Sequence, residues 1–204
     1  LIETIIFDLG NVLVDFNHTI AAKRIACFCN KSTQEIFDLF FYSGITVLFE
    51  EGKISPQEFF LKVKELLGLN LSYDTFVPIW NEIFFLSPKN CAVYNLVNML
   101  RAHYKMVLVS NINILHYEYL KKHFPVFGVF DRVFTSFELG VAKPDPAIYQ
   151  DMLKTLNVLP ESTFYTDDRK ELVESAKKLG IKGFVFTDAK QLKQDLISSG
   201  VVID

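Results

Sequence analysis

The chain has 204 residues, 50% of them hydrophobic and 22% charged, with a formal net charge of -3. That is length for one large core, or for a core with an insert. It carries no basic stripe of the kind that binds nucleic acid, and no apolar run near the roughly 18 residues of a membrane helix. No signal-peptide pattern is visible, and the chain opens on Leu1 without a Met. The cysteines, Cys27, Cys29 and Cys91, are odd in number, and no histidine pair supplies a zinc spacing. They are expected to be buried free thiols in a reducing compartment, which points to the cytoplasm.

The first strand is expected over Thr4 to Leu9, an apolar run that meets Asp8 and then the turn residues Gly10 and Asn11. A short apolar run bounded in this way reads as a buried strand of a parallel sheet. Ligands of such sheets lie at the carboxyl ends of the strands, so Asp8 faces a crevice. From about Phe16 to Leu86 no strand is expected. Asn17 to Cys29 has helical periodicity. Ser32-Thr33-Gln34-Glu35 is a capping box, with Ile36, Leu39 and Phe40 on one face and Gly44 as the stop. Ser55-Pro56-Gln57-Glu58 is a second one, opening a helix with Phe59, Phe60, Val63, Leu66 and Leu67 on one stripe and Gly68 at its end. A further helix from Tyr73 to Ile83 carries Trp80.

Alternation then resumes. Helices are expected over Asn90–His103, Ile114–His123, from Asp145-Pro146 onward, Arg169–Leu179 and Ala189–Ser198. Strands are expected over Lys105–Val109, Arg132–Thr135, Thr163–Thr166 and Gly183–Thr187. This order predicts an α/β fold with a doubly wound, mostly parallel, Rossmann-like sheet in three layers, interrupted by an all-helical insert. Residues 1–15 and 88–204 would form the core, and residues 16–87 a helical cap.

Polar residues follow the apolar strands. Asp8 follows the first, Ser110 and Asn111 follow KMVLV, and Asp167 and Asp168 follow TFYT. Lys143 sits before a helix in VAKPDP. All fall on the carboxyl-end side of one sheet and so converge in one crevice. Close carboxylates repel one another unless a cation lies between them, and an all-oxygen ligand set suits Mg2+. A hydroxyl, an amide and an ammonium beside it make a receptor for phosphate. A carboxylate in line with that phosphate is a covalent nucleophile.

Taken together, Asp8-Leu9-Gly10-Asn11-Val12, Ser110, Lys143 and Asp167-Asp168 stand in order along the whole chain, with a helical insert after the first strand. This set resembles the haloacid dehalogenase superfamily, in particular its sugar-1-phosphatase-like branch. The resemblance implies a magnesium-dependent phosphatase acting on a small phosphorylated metabolite, a sugar 1-phosphate among the candidates. It implies that Asp8 attacks phosphorus and binds the metal. Gly10 would offer its carbonyl to the metal, with Asp168 as second carboxylate ligand and Asp167 ligating directly or through a metal-bound water. Ser110, Asn111 and Lys143 would bind the phosphoryl group. The family's general acid lies two residues after the nucleophile, and here that position is Gly10. Three readings follow: a leaving group that needs no acid, which the resemblance favours; a substitute acid such as Asp15 or His18; or a weakly catalytic domain that binds phosphometabolites or a protein. A 2-haloacid dehalogenase, whose halide leaves without a proton, is a minor alternative, since the paired acids point to a metal. His103, His116 and His123 are expected on the surface, Asn113 as a helix cap, and Trp80 in the core. Glu50-Glu51-Gly52 is read either as a loop near the substrate or as an exposed turn.

Overall fold

Ile5, Ile6 and Phe7 are fully buried because their strand lies at the centre of a sheet covered on both faces. The computed structural model describes residues 1–203. It opens with β1 (Thr4–Phe7) and the short β2 (Asp15–Phe16). The helices α1 (His18–Ile25), α2 (Thr33–Tyr42), α3 (Ile45–Glu50), α4 (Pro56–Leu67) and α5 (Tyr73–Asn81) follow. Then come β3 (Phe84–Phe85), α6 (Pro88–Leu100), β4 (Lys105–Ser110), α7 (Ile114–His123), β5 (Arg132–Thr135) and α8 (Ser136–Leu139). The chain closes with α9 (Pro146–Leu156), β6 (Thr163–Asp167), α10 (Lys170–Lys177), β7 (Lys182–Val185) and α11 (Ala189–Ser198).

The main sheet has the order β5-β4-β1-β6-β7, and every neighbouring pair in it is parallel. Successive side chains of a strand point to opposite faces. So Ile5, Phe7, Met106 and Leu108 pack with Val93, Val97, Leu120 and Leu196 of α6, α7 and α11. Ile6, Val107, Val109 and Tyr165 pack on the other side with Ile148, Met152 and Val173 of α9 and α10. This is the three-layer α/β architecture that the sequence pattern predicts.

Helices α1 to α5 build a separate apolar cluster around Phe40, Phe49, Phe59, Phe76 and Trp80. Both expected capping boxes form, at Ser32–Glu35 and Ser55–Glu58, and Gly68 ends α4 in the left-handed region. Three features depart from expectation. Gly44 stops α2 but also starts α3, six residues too short to show a clear period. Leu66, on the predicted apolar stripe, is 54% exposed. And the segment expected to lack strands contributes an antiparallel pair, Asp15 opposite Phe85 and Phe16 opposite Phe84. Two residues per strand leave no alternation to read; the pair exists because the chain enters and leaves the insert at one point. The amide of Asn90 ties that point to the core through the Val12 carbonyl at 3.2 Å and Asp15 at 3.1 Å.

His116 is not on the surface, as the sequence reading expects, but buried. Its ring stacks on Trp80 at 4.9 Å and so joins α7 of the core to α5 of the insert. Nε2 lies 3.0 Å from the Trp80 carbonyl and Nδ1 lies 3.1 Å from the Asn113 amide, so both ring nitrogens are satisfied by a neutral imidazole. Asn113 also caps α7 by accepting from the His116 backbone N–H at 3.0 Å, as expected. The cysteines also differ from expectation: Cys27 and Cys91 are exposed and Cys29 is partly buried, all three free thiols. Among the described residues no helix is long and apolar enough to cross a membrane.

Burial first, then the neighbouring His18, pushes the His116 imidazole down to about 3, against the pull of the Trp80 carbonyl. The unfolded chain binds a proton below the ordinary histidine value that the folded chain refuses. The stabilisation is therefore complete above about pH 6.5 and is lost as pH falls toward the folded value. His116→Gln should flatten the fall in melting temperature between about pH 7 and about pH 4.5. Parallel curves for the two proteins would contradict a buried neutral His116.

Candidate active site

The chain runs from β1 outward to β4 and β5, then returns to the other side of β1 for β6 and β7. The winding thus reverses beside β1, and in open α/β sheets the ligand crevice lies at that reversal, beyond the strand carboxyl ends. Asp8 follows β1, Ser110 closes β4 and Asp167 closes β6, so three neighbouring strands deliver polar groups to one place.

Lys143 lies at the centre. Its ammonium is buried and donates to Asp8 Oδ1 at 2.6 Å, to Asp167 Oδ2 at 2.7 Å and to the Val109 carbonyl at 3.2 Å. All three protons of the ammonium are therefore used. Burial disfavours its charge, but the Asp8 and Asp167 carboxylates outweigh that and hold the lysine above its usual range. The Asn111 side chain fixes the lysine's backbone from both sides. Its amide donates to the Lys143 carbonyl at 2.7 Å, and its oxygen accepts from the Lys143 N–H at 2.8 Å.

Asp167 is completely buried. Besides Lys143, it accepts from the Arg169 N–H at 2.9 Å and from the Tyr165 hydroxyl. Tyr165 stands two residues earlier on the same face of β6, a spacing that strand geometry makes legible in the sequence. Asp168, at the lip, accepts from the Asn11 amide at 2.9 Å. Asn11 takes a left-handed conformation with φ of 57°, which asparagine tolerates better than most residues. Burial raises the Asp8 carboxyl above the usual range, with Lys143 opposing and Asp167 and Asp168 adding to the rise. Asp168 is raised as well, by burial first.

Carboxylate oxygens of Asp8, Asp167 and Asp168 all lie within 4.8 Å of one another. One ammonium does not balance three carboxylates, so the cluster keeps a negative excess. Oxygen donors with that excess fit a hard divalent cation.

A cavity of about 400 Å³ opens over the cluster, within the range of small-molecule sites. Asp8, Gly10, Ser110, Asn111, Lys143 and Asp168 line it; Asp167 stands behind them. The opposite wall comes from the insert and its junction: Phe16, His18, Phe40, Phe41, Glu50 and Trp80. Asp15 is elsewhere, 2.8 Å from the Lys89 ammonium. Nothing in the periodicity distinguishes the wall aromatics from core aromatics, since Phe40 and Trp80 serve as both.

Known proteins are similar to this chain over most of its length. A D-ribitol-5-phosphate phosphatase of Bacteroides thetaiotaomicron is 27% identical over 202 residues, covering 96% of this chain and 97% of the relative. A sesquiterpene phosphatase of Aspergillus oryzae is 25% identical over 189 residues, covering 90% and 89%. The crystal structure of a haloacid dehalogenase family enzyme from Bacteroides thetaiotaomicron, in complex with magnesium and inorganic phosphate, superposes with a TM-score of 0.81 at 28% identity, covering 92% of this chain and 96% of that one. The family model for haloacid dehalogenase-like hydrolases matches residues 5–186, and the chain belongs to that family.

Proposed function

We propose that this protein is a magnesium-dependent phosphatase that hydrolyses a small phosphorylated metabolite through an aspartyl-phosphate on Asp8. The observation that carries this reading is the gathering of Asp8, Asp167 and Asp168 around the buried ammonium of Lys143. The names of the two relatives and the magnesium–phosphate complex of the related structure support it.

Asp8 stands at the floor of the cavity and attacks phosphorus, forming the Asp8–phosphate bond as the ester bond breaks. Ser110 binds one phosphoryl oxygen, and Lys143, which holds the Asp8 carboxylate in place, exchanges its longer contact with the Val109 carbonyl for another. Asn111 acts through the lysine, whose backbone it clamps. Asp8, Asp168 and the Gly10 carbonyl would hold magnesium, which would supply the positive charge that the phosphoryl group and the paired acids need. Asp167, whose oxygens already accept from Lys143, Tyr165 and Arg169, supports the site from behind. Water then attacks the same phosphorus, releasing phosphate and restoring Asp8.

Residues 16–87 act as a cap over the core of residues 1–15 and 88–204. The aromatic wall excludes bulk water and packs the organic part of the substrate. Sugar 1-phosphates fit this reading. So do esters of ordinary alcohols, the class to which ribitol 5-phosphate belongs.

Phosphate release should be measured over a panel of sugar 1-phosphates, sugar 6-phosphates, alkyl phosphates and an acyl phosphate, with magnesium or with chelator. Turnover should require magnesium and fall to background in Asp8→Asn. Turnover that survives either change would contradict the proposal, and phosphate binding without turnover would make the chain a binding domain. A second outcome concerns Gly10. A Cβ there would lie 2.7 Å from the Phe16 ring, so a side chain has no room unless that ring moves. Gly10→Asp should lower unfolding stability by about 1–3 kcal/mol in denaturant titrations. An unchanged midpoint would contradict the close packing.

A further inference from the structure

An alkoxide leaves phosphorus slowly unless it is protonated, and the position of the family's usual acid is occupied by Gly10. Phe16 fills the adjacent space, with its Cε1 2.7 Å from where a Cβ would stand. A substitute must come from another wall of the cavity. Asp15 is excluded because it faces Lys89 and Asn90. His116 is excluded because both ring nitrogens are bonded in its neutral form. His18 is held neutral by burial, which pushes it down to about 4. Arg169 keeps its charge and lies against Glu171 at 2.5 Å.

We infer that Glu50, carried to the cavity by the helical insert, is the proton donor to the leaving oxygen. Its position is set by the end of α3. The Ser136 hydroxyl donates to the Glu50 carbonyl at 2.5 Å, and Ser136 Oγ in turn accepts from the Ile112 N–H at 3.0 Å. Two residues on, Gly52 has φ of +64° and lies so close to the core that a Cβ would stand 2.3 Å from the Phe137 carbonyl oxygen. These contacts pin the turn to the core where Glu50 lines the cavity. Among the described residues, the Glu50 carboxyl makes no hydrogen bond and no ion pair, so its proton is not committed elsewhere. The charged groups around it are Arg169, Glu51 and, bound to Glu51 at 2.7 Å, Lys53. Burial pushes the Glu50 carboxyl up to about 7, with Arg169 opposing and Glu51 adding to the rise. A donor of this kind works best with a value near the operating pH.

The inference rests on Asp8 being the nucleophile. In the first half-reaction Asp8 forms its bond to phosphorus, the phosphorus–oxygen ester bond breaks, and the leaving oxygen takes the Glu50 proton. The products are the Asp8 phosphate, the free alcohol and the Glu50 carboxylate. In the second, water attacks phosphorus, the Asp8–phosphorus bond breaks and inorganic phosphate leaves; the proton released passes to solvent, from which the Glu50 carboxylate is reprotonated, so Glu50 takes no part in this step.

The test compares Glu50→Gln with the unaltered protein on two esters: the alkyl phosphate it hydrolyses fastest, and p-nitrophenyl phosphate, whose leaving group needs no proton. Alkyl turnover should fall roughly 10²–10⁴-fold, while aryl turnover stays within a few-fold and reports an intact fold. The basic limb of the alkyl pH profile should disappear with the alkyl activity. Equal losses on both esters, or no loss on either, would overturn the role of Glu50. Asp8→Asn run in parallel separates the two claims. If it keeps its activity, the aspartyl-phosphate reading fails whatever Glu50→Gln does.

Discussion

One buried ammonium sets the terms for the rest of this structure. Lys143 bridges Asp8 and Asp167 from two different strands, out of contact with water. Removing one partner of such a pair leaves an uncompensated buried charge, at a cost of about 3–5 kcal/mol. The surroundings serve this contact. Asn111 clamps the lysine's backbone, and Tyr165 and the Arg169 N–H complete the Asp167 carboxylate. The contact also leaves negative charge in excess, because Asp168 joins Asp8 and Asp167 at close range. A site with such an excess is incomplete without a cation, and the chemistry we propose follows from that incompleteness.

The sheet makes this concentration of charge possible. β1 lies between β4 and β6, so the ends of three strands meet above one crevice. β1 and β6 are buried throughout and β4 from Met106 onward, which anchors the polar residue at the end of each. The insert leaves the core straight after the first of them, at the β2–β3 pair, and returns its aromatic side over the same crevice. His116 stacked on Trp80, and Ser136 bonded to the Glu50 carbonyl, attach the insert to the core on opposite elements.

Much of this was legible in the sequence, for identifiable reasons. Buried parallel strands are short apolar runs, and the groups that follow them fall on one side of the sheet, so Asp8, Ser110 and the Asp167-Asp168 pair could be read as neighbours. Lys143 needed the family resemblance, since a lone loop lysine carries no signal of burial. The capping boxes at Ser32 and Ser55 marked helix starts because their chemistry is local. What escaped was tertiary. His116 is one polar residue on a helix, and nothing nearby in the chain reveals that Trp80 covers it. The β2–β3 pair is too short for any periodicity. Phe16 filling the space beside Gly10 joins positions whose contact depends on the path of the intervening turn.

In the proposed reaction Asp8 carries the phosphoryl group. The most direct test is acid quenching of the enzyme during turnover of radiolabelled acetyl phosphate with magnesium, followed by peptide mapping. Label should appear on the peptide that contains Asp8 and be absent from Asp8→Asn and from enzyme that has reached completion. Steady turnover with no label on that peptide, or with label on another residue, would contradict it.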